Sequence, residues 1–160
     1  MDAFLNEWLG ATPDWHETIR ITVKLIAALI AGAIVGVQRE RSGKPAGLRT
    51  HMLVALGTAV FVMTGVEYGM HEDALSRVLQ GLTTGIGFIG AGTILKIATQ
   101  YEIKGLTTAA SIWATAAISA AIGLGQFVLA FISAAMTWIV LTMLVRIERR
   151  MGVQQPEEEE

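Results

Sequence analysis

Five apolar stretches of near-spanning length, separated only by short polar links, limit what this chain can fold into more than any other feature. They run roughly over Ile19–Val37, His51–Gly69, Val78–Ile97, Leu106–Leu124 and Phe127–Val145. Each approaches the ~20 residues that a helix needs to cross the hydrocarbon core of a bilayer. Hydrocarbon offers no partner to a backbone N–H or C=O, so such stretches cross it as helices, which satisfy those groups internally. A soluble helical core would carry a charged outer face on each helix, and these stretches have none. The expected fold is an all-α integral membrane protein, a bundle of five transmembrane helices. Residues 1–18 form an outer interfacial segment, 19–147 the membrane domain and 148–160 a charged tail. Only 16% of the chain is charged, against ~25% in soluble domains, and no hydrophilic stretch is long enough for an aqueous catalytic domain.

Lysine and arginine set the expected orientation. The first link holds Arg39, Arg41, Lys44 and Arg49, the third holds Lys96 and Lys104, and the C-terminal flank holds Arg146, Arg149 and Arg150. The opposite side has only Arg20, Lys24 and Arg77. This places the C-terminus in the cytoplasm and the N-terminus, with Asp2, Glu7, Asp14 and Glu17, in the periplasm; an odd number of spans agrees. The opening M-D-A-F-L-N-E-W-L-G carries acids where a cleavable signal would carry cations, so the first span is expected to stay as an anchor. Lys24, within a turn of the outer surface, is expected to snorkel. Trp8 and Trp15 suit the outer interface, whereas Trp113 and Trp138 fall inside apolar stretches. The final E-E-E-E is a solvated charge run with no assigned role.

Glycine is dense inside the spans. Gly32 and Gly36 lie four apart in the first, and Gly81, Gly85, Gly87, Gly90 and Gly92 fall within twelve residues of the third. Glycines three and four apart share a helix face and let backbones approach closely, which drives packing in lipid. The functional alternative is that the third-span glycines break the helix and open backbone carbonyls to a pathway. There is also an internal echo: G-L-R-T at Gly47–Thr50 returns as G-L-T-T at Gly105–Thr108, and Gly32-Ala33 returns as Gly90-Ala91 in the same register. On that basis spans one–two and three–four would be parallel repeats.

Both G-L-x-T motifs follow a basic link and open a helix. Thr50, Thr107 and Thr108 are candidate N-caps, and unpaired N–H groups beside Arg39, Arg41, Lys44 and Arg49 would favour an anion; lipid headgroups are the bland partner. Glu40 and Arg49 are expected to turn inward and pair. With Gly47, His51, Gly105 and Trp113, these residues form the candidate functional set. The chain has no cysteine, and its three histidines are far apart. No carboxylate lies mid-span, and no Walker loop, catalytic triad or metalloprotease signature is present. The expectation is no enzyme, cofactor, metal site or nucleic-acid partner.

Three motifs resemble a known family. G-V-Q-R-E-R at Gly36–Arg41 with K-P-A-G-L-R-T-H-M-L-V-A-L-G at Lys44–Gly57, G-I-G-F-I-G-A-G-T-I-L at Gly85–Leu95, and K-G-L-T-T-A-A-S-I-W-A-T-A-A-I at Lys104–Ile118 are similar to the MgtC/SapB family of bacterial inner-membrane proteins. The resemblance implies a five-span fold with a periplasmic N-terminus, and a role in adaptation to low Mg²⁺ and, in some pathogens, virulence. It implies ATP synthase or cation-transport ATPases as partners. Virulence members carry an added soluble C-terminal domain, and this chain, stopping after M-G-V-Q-Q-P-E-E-E-E, reads as the short form. The expected function is a non-enzymatic regulator or homeostasis factor acting through the basic link and helix ends. The alternatives are a transporter or channel along the third span, or an assembly subunit with Gly32 and Gly36 as a homodimer face.

Overall fold

The computed structural model describes residues 14–97 and 102–144. The segment with Trp8, the flank with Arg146, Arg149 and Arg150, and the acidic tail lie outside the described residues.

Helix α1 spans Trp15–Arg41, with Glu17 in its first turn and Arg39 and Arg41 in its last, as the helix dipole favours. It ends at Ser42–Gly43, where Gly43 takes φ 65 and turns the chain. Helix α2 (Leu48–Glu67) and helix α4 (Leu106–Gly123) follow glycines, and helix α3 covers Glu72–Gly92. Helix α5 is Phe127–Ile139 and widens into a π-helical segment over Val140–Leu144. Strands β1 (Leu95–Ile97) and β2 (Glu102–Lys104) pair antiparallel, with Leu95 opposite Lys104 and Ile97 opposite Glu102.

The third apolar stretch therefore needs correction at both ends. The helix starts at Glu72 rather than Val78, because Glu72 and Asp73 suit the positive end of a first turn. It stops at Gly92 rather than Ile97, because the chain then enters the hairpin. Three-residue strands are too short for an alternating pattern to stand out from an apolar run. Nor do the glycines break α3, which runs unbroken through Gly81, Gly85, Gly87 and Gly90.

Packing runs small-in, large-out. On α1 the buried face is Ala27, Ala28, Ala31, Gly32, Val35 and Gly36, while Ile19, Val23, Ile26, Ile30 and Ile34 are exposed. On α5, Ala130 and Ala134 face inward, with Val128, Phe131, Ile132 and Met136 outward. Water would not tolerate so broad an apolar surface; lipid does, and there small residues at helix contacts supply the packing energy. Three helices, α1, α2 and α4, are long and apolar enough to cross a membrane, and α5 with its π segment is a shorter apolar helix.

The α1–α2 hairpin is the most extensive contact, and α4 packs across both helices. A Cβ on Gly32 would lie 2.7 Å from the His51 carbonyl oxygen, and one on Gly36 would lie 2.7 Å from the Leu48 Cα. These glycines are consumed inside the protomer, so they are not a homodimer face. Gly81, Gly85, Gly87 and Gly92 have open space where a Cβ would go, and only Gly90 meets a neighbour, Ala109 at 3.5 Å.

Candidate functional site

The cation-rich end of the bundle joins α1, α2 and α4 through buried polar side chains. Gly47 is the residue before α2, and no side chain of its own caps the helix. Glu40 does so from across the turn: its carboxylate accepts the Leu48 N–H at 2.8 Å and occupies the space a Gly47 Cβ would fill. Charge-assisted bonds of this kind are among the stronger ones. Next to it in sequence, Arg39 is only 3% exposed, and its guanidinium donates to the Thr108 hydroxyl of α4 at 2.9 Å.

His51, fully buried, completes the link. Its Nδ1 lies 2.9 Å from the Gly47 carbonyl oxygen. A carbonyl only accepts, so Nδ1 carries the proton. Nε2, then an acceptor, lies 3.2 Å from the Ser111 hydroxyl, whose one proton has both Nε2 and the Thr108 carbonyl, at 2.8 Å, within reach. Arg39, Thr108, Ser111, His51 and Gly47 thus form one continuous polar chain from α1 through α4 to α2. Gly105 seats the start of α4 beside it: its φ is +93, and a Cβ there would collide with the Thr93 carbonyl oxygen.

Several expected roles move. Thr50, Thr107 and Thr108 are not caps, because Gly47 and Gly105 hold the cap positions and the threonines fall inside the first turns. Thr108 instead receives Arg39, while Thr107 is exposed. Arg49 is exposed and does not pair with Glu40; the arginine that turns inward is Arg39. Arg41 is exposed, and Lys44 is half-buried with its backbone N–H on the Arg39 carbonyl at 3.2 Å. Trp113 stands away from this cluster, on the wall of an apolar cavity of about 310 Å³ between α3 and α4 that also takes in Thr58, Leu79, Thr83 and Ile86.

Lys24 does not snorkel. It is buried, and its ammonium donates to the Gly123 carbonyl at 2.9 Å. Orphan carbonyls and the negative dipole end make a helix C-terminus a natural seat for a cation. Nearby, Arg20 and Glu67 pair at 2.8 Å. Lys24, Ser111 and Gln38, whose amide donates to the Leu141 carbonyl at 2.9 Å, were not in the candidate set. A lone lysine in an apolar run was the available signal for the first; Ser111, one turn after Thr108, was a weaker one. Among the described residues no group of three His, Asp or Glu side chains is placed to hold a metal ion.

Residues 25–150 match the MgtC family. SrpB of Synechococcus elongatus is 39% identical over 161 aligned residues, 94% of this chain and 83% of SrpB. YhiD of Escherichia coli K12, described as a candidate magnesium transporter, is 41% identical over 84% of this chain and 65% of its own length. Protein MgtC of Salmonella typhimurium is 40% identical over 66% of this chain. The aligned region is 44% of that protein, so the chain spans less than half of it. No solved structure matches the chain.

Proposed function

The chain belongs to the MgtC family, and on that premise we propose that it is a non-enzymatic inner-membrane homeostasis factor tied to Mg²⁺ limitation, one that regulates other membrane proteins rather than carrying the ion. The observation that carries this reading is the sign of the buried charge. Among the described residues, the charged side chains buried in the bundle are Lys24 and Arg39, both cations. Lys24 holds the end of α4 and Arg39 its beginning, so the two stand at opposite ends of the packed interior. A divalent cation passing at about 8 Å from one such charge would be repelled by about 4 kcal/mol at an effective dielectric constant near 20. The same two cations lock helix ends together, which suits a rigid protein that presents a surface.

In this reading the five helices all span, the N-terminus is periplasmic, and the turn with Arg41, Lys44 and Arg49 faces the cytoplasm, as the positive-inside rule requires. The family resemblance points to ATP synthase or a cation-transport ATPase as the partner. The proposed parallel repeat is supported by register: α2 and α4 open 58 residues apart after Gly47 and Gly105. Gly90 meets Ala109, 19 residues on, and Gly32 meets His51, also 19 residues on.

Transport is the second reading, favoured by the cavity beside α3 and by the description of YhiD. Reconstitution in liposomes with an internal Mg²⁺ indicator separates the two. The expected result is no Mg²⁺ entry above protein-free liposomes, together with loss of growth support in low Mg²⁺ for Arg39→Gln at wild-type membrane abundance. Protein-dependent Mg²⁺ entry would sink the regulator reading.

A further inference from the structure

A second polar site lies at the same end of the bundle, on different residues. Where the last turn of α1 meets the π-helical end of α5, the Gln38 amide reaches across. Its Nε2 donates to the Leu141 carbonyl at 2.9 Å and to the Ser42 hydroxyl oxygen at 3.2 Å. Ser42 spends its own proton on the main-chain carbonyl of Gln38 at 2.9 Å, so its oxygen is left as an acceptor. Both neighbours accept, which fixes the orientation of the amide. Its Oε1 is then directed away from both, buried and without a hydrogen-bond partner among the described residues. An unfilled buried acceptor costs free energy unless something supplies a donor.

Gln38 lines a cavity of about 270 Å³, whose other walls are Val37, Arg41, Ser42, Trp138 and Thr142. Thr142 gives its hydroxyl proton to the Trp138 carbonyl at 2.7 Å, so it offers no donor to Gln38. The Arg41 side chain is exposed and makes no hydrogen bond or ion pair among the described residues. Trp138 is 46% exposed. Below the cavity, on the helix faces that carry Arg41 and Trp138, α1 presents Ile30 and Ile34 and α5 presents Phe131, all exposed.

From these groups we propose that the cavity binds the headgroup of an aminophospholipid, with phosphate on Arg41 and ammonium on Gln38 Oε1 beside the Trp138 ring. The level is right: Arg41 ends α1, and tryptophan and arginine concentrate where hydrocarbon gives way to headgroups. The chemistry asks for an anion and an N–H donor in one molecule. Phosphatidylethanolamine supplies both, and its ammonium gains from an aromatic face. Phosphatidylcholine has the same charges, but its nitrogen bears no hydrogen and cannot satisfy Oε1. Phosphatidylglycerol offers hydroxyls without a cation. Acyl chains would descend along Ile30 and Ile34 of α1 and Phe131 of α5. The site is independent of the Arg39 chain, so it stands or falls apart from the proposed function.

The test uses the full chain in micelles supplied with equimolar phosphatidylethanolamine, phosphatidylglycerol and phosphatidylcholine, with retained lipid read by native mass spectrometry. Wild type should keep phosphatidylethanolamine roughly tenfold over phosphatidylcholine, the scale of one charge-assisted hydrogen bond. Gln38→Leu should erase that preference, Arg41→Gln should weaken retention of all three lipids, and Arg49→Gln, an exposed cation outside the cavity, should change nothing. Equal retention of the ethanolamine and choline lipids by wild type would overturn the assignment and leave water as the partner of Gln38. So would a higher retention of phosphatidylglycerol, or an Arg49→Gln loss matching that of Arg41→Gln. The wild-type comparison decides the matter even if a variant does not fold.

Discussion

Arg39 and Lys24 carry full charges into the packed interior, and each is tolerated because an oxygen meets it there. For Arg39 one such oxygen is the Thr108 hydroxyl. Thr108→Val keeps the shape and removes that acceptor, so it should lower stability by about 1.5–3 kcal/mol, the worth of a hydrogen bond to a charged group. Thr108→Ser should restore most of it, as thermal unfolding in detergent would register. Gly105 is constrained by backbone rather than by charge. Gly105→Ala must hold a left-handed φ of +93 and push against the Thr93 carbonyl. The conformation alone costs about 1–2 kcal/mol, and the contact adds to it. A Gly105→Ala variant unfolding at the wild-type temperature would show that the turn relaxes freely.

The helices differ in how much neighbour they need. Gly32 and Gly36 set the distance between α1 and α2, whereas Gly85 on α3 looks onto open space. Gly36→Leu should therefore separate the hairpin and abolish the folded species in size-exclusion chromatography. Gly85→Leu should leave stability within about 0.5 kcal/mol of wild type, as for a surface change. The glycine spacing was legible on both helices, yet it could not tell a used face from an idle one. That depends on which neighbour arrives. The helix caps were misjudged for a related reason: the threonines of G-L-x-T are good caps in isolation, but at α2 Glu40, eight residues back, took the Leu48 N–H.

For the whole molecule, the orientation is open to direct test, because the chain has no cysteine of its own. Ser42→Cys, in the turn after α1, and Met70→Cys, in the turn after α2, are both at exposed positions. With a membrane-impermeant maleimide on intact cells, the cysteine at position 70 should label and that at 42 should label only after lysis. The reverse pattern would invert the bundle and with it the side on which partners are sought. Either way, the large exposed aliphatics of α1 and α5 fix lipid as the solvent.

The apolar stretches by themselves determined a helical membrane protein, since hydrocarbon leaves a spanning backbone no other way to pair its polar groups. The motif spacing likewise located the basic turn and the two glycines that open α2 and α4. Only the tertiary structure decided which charges turn inward. Arg39, Arg41 and Arg49 are equivalent as letters, but Arg39 alone of the three is buried, and it reaches Thr108 on a helix 69 residues away. Lys24 had a turn's length of side chain to reach water and instead found the orphan carbonyl of Gly123. Burial of a charge is settled by what lies across the interface, and no local pattern contains that information.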